Sequence, residues 1–102
     1  MRRRDPLEGC TGFDWDDGNV DKNWNLHRVA FWEAEEAFFN EPLIIRTDLV
    51  YSGGEGRFVA LGRTDPGRLL FLSFTVRRSL IRIISARDMT RREVNTYEHT
   101  KA

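Results

Sequence analysis

The sequence has little cysteine, little histidine and no long apolar run, and each shortage excludes a class of protein. Among its 102 residues Cys10 is the single cysteine, so no internal disulfide can form, as is common in a reducing compartment. Cys10 also lacks a nearby His or second Cys, which argues against a metal site. No apolar run approaches the roughly 18 residues that a membrane span needs. We therefore expect a cytoplasmic protein that needs no metal and no other cofactor.

The first residues, "MRRRDPLEGCTG", are basic but contain no apolar segment, so they do not form a secretory signal. We expect residues 1–12 to be a mobile tail. Residues 13–99 are expected to form a single domain, because a chain of this length can bury one modest core.

The zero net charge conceals a strong asymmetry between the two halves of the chain. Residues 1–56 hold 6 Lys/Arg and 12 Asp/Glu, whereas residues 57–102 hold 10 Lys/Arg and 4 Asp/Glu. The halves can simply neutralise each other in the fold. Nearly all of the basic excess is arginine, however, which is suited to bidentate phosphate contacts and so favours a surface for a polyanion.

The N-terminal half predicts one short strand and two helices. "GFDWD" (12–16) alternates aromatic and acidic residues, as a half-buried strand does. "NVDKNWNLH" (19–27) predicts a short polar helix, and "AFWEAEEAFFN" (30–40) predicts a stronger helix that ends before Pro42. The Phe and Trp side chains of the second helix can belong to the core or to a surface for a partner.

The C-terminal half predicts a sheet and a last helix. Four segments have the composition of strands and are joined by short turns, which favours antiparallel pairing: 43–51, 57–63, 68–76 and 80–86. Thr90 and Glu93 have the spacing of a capping box, so a helix should begin near Thr90 and end near His99, with Tyr97 in the core. The expected fold is an α+β domain, an antiparallel four- to five-stranded sheet with two N-terminal helices and one C-terminal helix.

The stretches "FDWD", "NWNLHRVAFWEA" and "IRIISAR" together resemble the BrnT-type toxins of bacterial type II toxin–antitoxin systems. The resemblance runs from about Phe13 to Glu98, through "FDWD", "NWNLHRVAFWEA", "EPL" and "GRLLFLSFTVRRSLIRIISARDMTRREVNTYE". Its most specific part is "IRIISAR" followed by "TRRE" and a tyrosine.

This resemblance implies a RelE-like fold and a defined activity. The protein is expected to be an endoribonuclease that cleaves RNA without a metal and inhibits translation. Its implied partner is a cognate antitoxin with a ribbon-helix-helix DNA-binding domain, in a hetero-oligomer that reaches operator DNA only through the antitoxin. No membrane partner is implied, and no helix-turn-helix pattern suggests direct DNA binding.

The chain departs from the family pattern at several positions. Asn19 stands where the family has a lysine, and Leu26 and Arg28 replace the lysine and glycine of a Lys-His-Gly sequence. Ala30 replaces a capping Ser or Thr, and Tyr51 takes the place of a histidine. These changes keep an alternative open: a catalytically impaired toxin-fold protein that serves as an antitoxin-binding partner or corepressor.

Metal-free RNA cleavage needs groups that transfer protons and cations that stabilise the phosphorane. Histidine has an unperturbed pKa near neutrality, which makes His27 a candidate for proton transfer. Glu55 lies two residues before Arg57, which matches the Glu-x-Arg of the family, and can act as a base or orient that arginine. Arg57 and Arg82 are the candidates for electrostatic stabilisation, because arginine rarely transfers protons.

Other arginines are candidates for contacts with RNA. Arg63 shares a strand face with Arg57 by alternation. Arg87 is five residues from Arg82, so the two should point to opposite faces unless the strand ends or bulges between them. For each arginine a solvated or salt-bridged surface role is the competing interpretation.

Arg91 and Arg92 lie in the first turn of the last helix, where the helix dipole favours anions rather than cations. A phosphate bound at this helix N-terminus would offset that cost, so both are predicted to contact RNA. His99, near the end of the chain, is predicted to have no role.

Overall fold

The computed structural model describes residues 5–48 and 56–100. It contains five strands and three helices in the expected order: β1 Gly12–Asp14, α1 Asp17–His27, α2 Phe31–Ala37, β2 Ile44–Thr47, β3 Phe58–Arg63, β4 Leu69–Arg77, β5 Leu80–Asp88 and α3 Arg91–Thr100. The α+β class with two N-terminal helices and one C-terminal helix is confirmed.

The sheet is mixed rather than wholly antiparallel, and its strand order is β1-β5-β4-β3-β2. Strands β2 to β5 form an antiparallel meander, as their short connections require. β1 differs because it pairs parallel to β5, with Phe13 opposite Ile81. Two helices and three other strands separate these partners in the chain, so no hairpin turn fixes their relative direction.

A bulge in β5 decides which of its side chains share a face. Arg82 pairs with Thr75 and Arg87 pairs with Phe71, and the register shifts between these two pairs. Since Thr75 and Phe71 are four residues apart on a regular strand, they lie on one face, and so do both arginines. The exception allowed by the sequence, a bulge between Arg82 and Arg87, is the arrangement that occurs.

One face of the sheet forms the core with α1 and α2. Leu70, Leu72 and Phe74 of β4 are fully buried on this face. Helix α2 approaches closely because its inner residues are small: a Cβ built on Gly62 of β3 would lie 3.1 Å from the carbonyl oxygen of Ala37. The small inner face therefore leaves the large aromatic side chains of α2 on the outside.

The sequence left open whether the Phe and Trp side chains of α2 belong to the core or to a surface for a partner. In the structure, two of them are largely exposed. Ala34 is fully buried, but Phe31 and Trp32 remain 43% and 57% exposed. Helix α2 is also shorter than expected, ending at Ala37. Glu33 bonds back to the backbone N–H of Ala30 at 3.0 Å, which supplies half of a capping box without a capping Ser or Thr.

Helix α3 packs on the other face of the sheet, and its capping box is confirmed. The N–H of Thr90 donates to Oε1 of Glu93 at 2.9 Å, and the N–H of Glu93 donates to Oγ1 of Thr90 at 3.2 Å. Tyr97 is fully buried, as expected for a core residue, and its hydroxyl donates to the carbonyl of Pro42 at 2.7 Å.

Part of the segment predicted as a tail lies against the domain. Leu7 and Cys10 pack against the core, and Gly12 already belongs to β1. The mobility predicted for residues 1–12 stays a prediction, and so do the domain boundaries at residues 13 and 99. Burial raises the pKa of the Cys10 thiol above its usual value, with a smaller contribution from Asp5.

Candidate functional site

The sheet face opposite α1 and α2 carries a concentration of arginines, which we call the arginine face. The strand register places on it Arg46 beside Val59, Arg63 beside Leu69, Arg82 beside Thr75 and Arg87 beside Phe71, and alternation adds Arg57. Helix α3 covers only part of this face. Arg57 and Arg63 share a face, as the sequence predicted.

Arg57 and Arg82 lie on either side of Thr75. The N–H of Asp48 donates to the carbonyl of Arg57 at 2.9 Å, so the β2–β3 ladder continues one residue before β3 begins. Continuing the β3–β4 register places Arg57 opposite Thr75, which pairs on its other side with Arg82. Two strand spacings separate the Cα atoms of the two arginines, about 10 Å. Side chains of this length can reach one phosphodiester from both sides.

Arg82 is already fixed by two carboxylates. Its Nη1 lies 3.3 Å from Oδ2 of Asp14, and its Nη2 lies 3.6 Å from Oδ2 of Asp16. Asp16 also caps α1 by accepting the N–H of Gly18 at 2.7 Å. These contacts orient the guanidinium and balance its charge locally. The acids of "FDWD" therefore act together on the arginine that the sequence singled out.

Arg87 and Arg63 lie on the part of the arginine face next to α3, and both make contacts within the domain. Arg87 forms a bidentate pair with Glu93 at 2.9 and 3.0 Å and lies 4.1 Å from the centre of the Phe71 ring. The Arg87 guanidinium, followed by the N–H and hydroxyl of Thr90, holds the pKa of Glu93 below its usual value. Arg63 donates from Nε to the carbonyl of Glu41 at 3.0 Å. Their predicted contacts with RNA remain predictions, and both side chains are partly committed to the domain.

Arg46 is a member of the site that sequence reasoning missed. It is exposed, and with Arg92 of α3 it lines a cavity of about 210 Å³ between β2, β3 and α3. Neither arginine forms an ion pair with another residue of 5–48 or 56–100. Alternation within the apolar run "LIIRT", combined with a β2–β3 hairpin, could have identified Arg46. Arg91 is also exposed, beside Arg92 in the first turn of α3.

Hydroxyl groups lie between the arginines of this face. Ser73 and Ser85 are cross-strand partners. On the same face of the sheet, they are the neighbouring pair to Thr75 and Arg82. Thr75 is 3% exposed, and its hydroxyl oxygen has no hydrogen-bond partner within the part of the chain that is described. An unsatisfied buried hydroxyl is unusual in a native structure, and a bound water or ligand can satisfy it.

His27 lies away from Arg82. It ends α1, whereas Asp16, which contacts Arg82, precedes the first residue of the same helix. Eleven residues of α-helix span about 16 Å. Arg68 donates to the carbonyl of His27 at 3.2 Å and forms an ion pair with Asp88. The pKa of Asp88 is lowered mainly by Arg68 and further by His27. The catalytic role of His27 is untested, but the fold does not bring it beside Arg82.

The family departures fall at different distances from the site. Asn19 is in the first turn of α1, and its N–H donates at 2.9 Å to the carbonyl of Asp16, which contacts Arg82. Arg28 adopts the left-handed conformation at the C-terminus of α1, with φ of 54°, a position that glycine fills without strain. Glu55 and Tyr51 lie outside the described residues.

Two further features concern the described ranges 5–48 and 56–100. Within them, no group of three or more His, Cys, Asp and Glu residues could hold a metal ion. None of the three helices in these ranges has the length and apolar character needed to cross a membrane.

Comparisons with known proteins agree with the fold. The family described as "Ribonuclease toxin, BrnT, of type II toxin-antitoxin system" matches residues 15–93. The crystal structure of the ribonuclease toxin BrnT from Brucella abortus superposes with a TM-score of 0.59. It is 17% identical and covers 78% of this chain and 97% of its own, a likeness that concerns the fold alone. None of the curated proteins gives a significant match. Because the family match spans most of the sequence, the chain belongs to the BrnT family of ribonuclease toxins of type II toxin–antitoxin systems.

Proposed function

We propose that this chain is an endoribonuclease that binds RNA on the arginine face and cleaves it beside Arg57 and Arg82. The observation that carries the proposal is the strand register: Arg82 pairs with Thr75, and continuing the β3–β4 pairing one residue beyond Phe58 puts Arg57 on the other side of Thr75, about 10 Å from Arg82 at Cα. Membership of a family of ribonuclease toxins supports it.

The proposed reaction needs no metal. The ribose 2′-hydroxyl oxygen attacks the adjacent phosphorus and loses its proton to a base, while the 5′ oxygen leaves with a proton from an acid. Guanidinium groups stabilise the charge that develops on the phosphoryl oxygens, which in comparable sites accounts for about 10²- to 10³-fold in rate. Arg57 and Arg82 have this role, and Asp14 and Asp16 orient Arg82.

Proton transfer is assigned to Glu55 in preference to His27. Glu55 is two residues before Arg57 in the sequence and matches the Glu-x-Arg of the family. His27 is at the end of α1 remote from Asp16 and Arg82. Replacing His27 with Ala separates the two assignments, since a catalytic His27 requires a loss of about 10²-fold or more and a change in the pH profile of cleavage.

The remaining arginines bind the RNA backbone on either side of the cleaved bond. Arg46 and Arg92 are best placed, because they line one cavity and form no ion pair with the described residues. Arg91 continues this basic edge along the first turn of α3. Loss of each phosphate contact should lower the dependence of RNA affinity on salt.

The proposal extends to the biology of a type II toxin. Cleavage of RNA inhibits translation in the cytoplasm until a cognate antitoxin binds the chain. That antitoxin carries a ribbon-helix-helix domain, through which the complex binds operator DNA.

Cleavage of a defined RNA by the purified chain, with EDTA present, tests the proposal. Arg57→Ala and Arg82→Ala should each lower the rate by about 10²-fold or more. Lys22→Ala is the matched control, because it removes one exposed positive charge from α1 on the opposite side of the sheet. Equal cleavage by all four proteins would exclude the arginine face as the active site, and cleavage that EDTA abolishes would exclude the metal-free mechanism.

One observation favours the alternative of a catalytically impaired partner protein or corepressor. Arg82 is balanced by two carboxylates within the chain, so a phosphate must compete with them. In that case the wild-type chain binds its antitoxin but does not cleave RNA. Asp14→Asn then serves as a diagnostic variant, since releasing Arg82 from one carboxylate should strengthen its attraction for phosphate.

A further inference from the structure

The outer surface of α1 and α2 carries an apolar cavity unrelated to the arginine face. Its volume is about 290 Å³, and it is lined by Val20, Asp21, Trp24, Ala30, Phe31 and Trp32. We call these residues the aromatic patch. Because α1 and α2 cover the opposite side of the sheet from the arginine face, the two surfaces are separate.

The patch has the composition of a binding hot spot. Trp24, Phe31 and Trp32 are 46%, 43% and 57% exposed, and the rings of Phe31 and Trp32 meet edge to face at 5.4 Å. Half-exposed aromatic side chains around a cavity are the residues that contribute most to protein–protein affinity. They also present rigid apolar area that costs little conformational entropy to bind.

The charge around the patch selects the kind of partner. Of the five acidic residues in segment 17–37, Glu33, Glu35 and Glu36 bond to other parts of the fold, which leaves Asp17 and Asp21. Asp21 lines the cavity, and Asp17 lies one turn earlier on the same side of α1. Arg28 already places its guanidinium 5.3 Å from the centre of the Trp24 ring, so this ring accepts a cation. Acidic residues beside a ring that binds a cation are complementary to a basic partner.

We propose that the aromatic patch is the docking site for a basic amphipathic segment of the cognate antitoxin. The proposal rests on the antitoxin partner named under the proposed function. Apolar side chains of the segment fill the cavity, and its Lys or Arg residues face Asp17 and Asp21. The same carboxylates repel phosphate, which is why the patch suits a protein segment rather than RNA.

The patch lies close enough to the site for docking to affect it. The N–H of Val20 donates to the carbonyl of Asp16 at 3.1 Å, and Asp16 contacts Arg82. A segment seated on Val20 is therefore one helical turn from the carboxylate that orients this arginine. From here a continuing antitoxin chain reaches the edge of the sheet at β1.

The proposal is tested with a purified ribbon-helix-helix protein whose gene neighbours the gene of this chain. Calorimetry with Trp24→Glu and Trp32→Glu should show affinity reduced by at least about 30-fold, the loss expected for a central aromatic contact. Leu26→Glu is the matched control, because Leu26 is 67% exposed on the same helix but does not line the cavity. Asp21→Lys, which removes no apolar area, should also weaken binding and lower its salt dependence.

Three outcomes would overturn the proposal. Wild-type and Trp32→Glu chains of equal affinity would place the antitoxin elsewhere, and failure of the wild-type chain to bind would remove the proposed occupant. RNA cleavage that falls with Trp32→Glu, at unchanged antitoxin affinity, would make the patch an RNA-stacking surface. Cleavage is measured separately, so an inactive wild-type chain that still loses antitoxin binding on Trp32→Glu would contradict only the proposed function.

Discussion

Arg68 and Arg46 lie on opposite faces of the sheet and are used in different ways. On the covered side Arg68 donates to the carbonyls of His27 and Arg28 and to the carboxylates of Glu33 and Asp88. On the arginine face Arg46 has no ion pair with the described residues, and it borders a cavity. The number of arginines in a basic half therefore says less about function than where each guanidinium finds its partners.

Arg82 is intermediate between Arg68, which is engaged within the domain, and Arg46, which borders a cavity. It is held by Asp14 and Asp16 but remains 28% exposed at its side chain. An arginine that is oriented without being enclosed suits the stabilisation of a transient charge, because its position is fixed before the charge develops.

The largest expected difference between the faces concerns two adjacent residues of β4. Phe74→Ala empties the covered core and should lower the free energy of unfolding by about 3–5 kcal/mol. Thr75→Val, on the arginine face, should change it by less than about 1 kcal/mol, because the hydroxyl that it removes makes no hydrogen bond with a described residue. Urea unfolding measures both, and a large loss in Thr75→Val would mean that its hydroxyl is bonded.

Arg68→Met tests the structural use of arginine. It leaves two carboxylates and two carbonyls without their donor, so we expect a loss of about 2–3 kcal/mol, moderated by the 65% exposure of Asp88. Lys22→Met is the control, an exposed cation on α1 for which little change is expected. Unfolding midpoints that agree within error for these two variants would refute the structural role of Arg68.

The pair of Arg87 with Glu93 predicts a dependence of stability on pH. The folded-state pKa of Glu93 lies below its ordinary value of 4.5, so the stabilisation is present above that value and is lost as the pH falls through the folded pKa. Glu93→Gln should therefore lower stability by about 1 kcal/mol at neutral pH and by less in acid. Urea unfolding at several pH values checks this, and a difference between the proteins that is constant with pH would contradict it.

The smallest expected effect is at the C-terminus of α1. Arg28→Gly relieves a left-handed conformation and should raise stability by about 0.5–1 kcal/mol. The carbonyl of Arg28 that accepts from Arg68 is kept in this variant. Thermal unfolding provides the measurement, and a decrease in midpoint would show that the stacking of Arg28 on Trp24 outweighs the strain.

The local signals in the sequence predicted most of the elements. The capping box at Thr90 and Glu93 located α3 to within one residue, and the alternation of β3 put Arg57 and Arg63 on one face. Such features depend on neighbours within a few residues, where spacing and backbone geometry are directly coupled.

What the sequence did not predict depends on contacts between distant segments. The apolar residues at 80, 81, 83 and 84 fit a strand with or without a bulge, so only pairing with β4 fixed the face of Arg87. The parallel direction of β1 and the capture of Arg82 by Asp14 likewise depend on residues almost 70 positions away. Alternation alone could not show which guanidiniums would be engaged within the domain.

The pairing of β1 with β5 has a consequence for synthesis of the protein. The acids that orient Arg82 leave the ribosome early, whereas Arg82 emerges only after nearly all of the sheet, since 68 residues separate Asp14 from it. The oriented guanidinium therefore cannot exist in a nascent chain that stops before β5. Chains released prematurely would lack the proposed catalytic arrangement altogether.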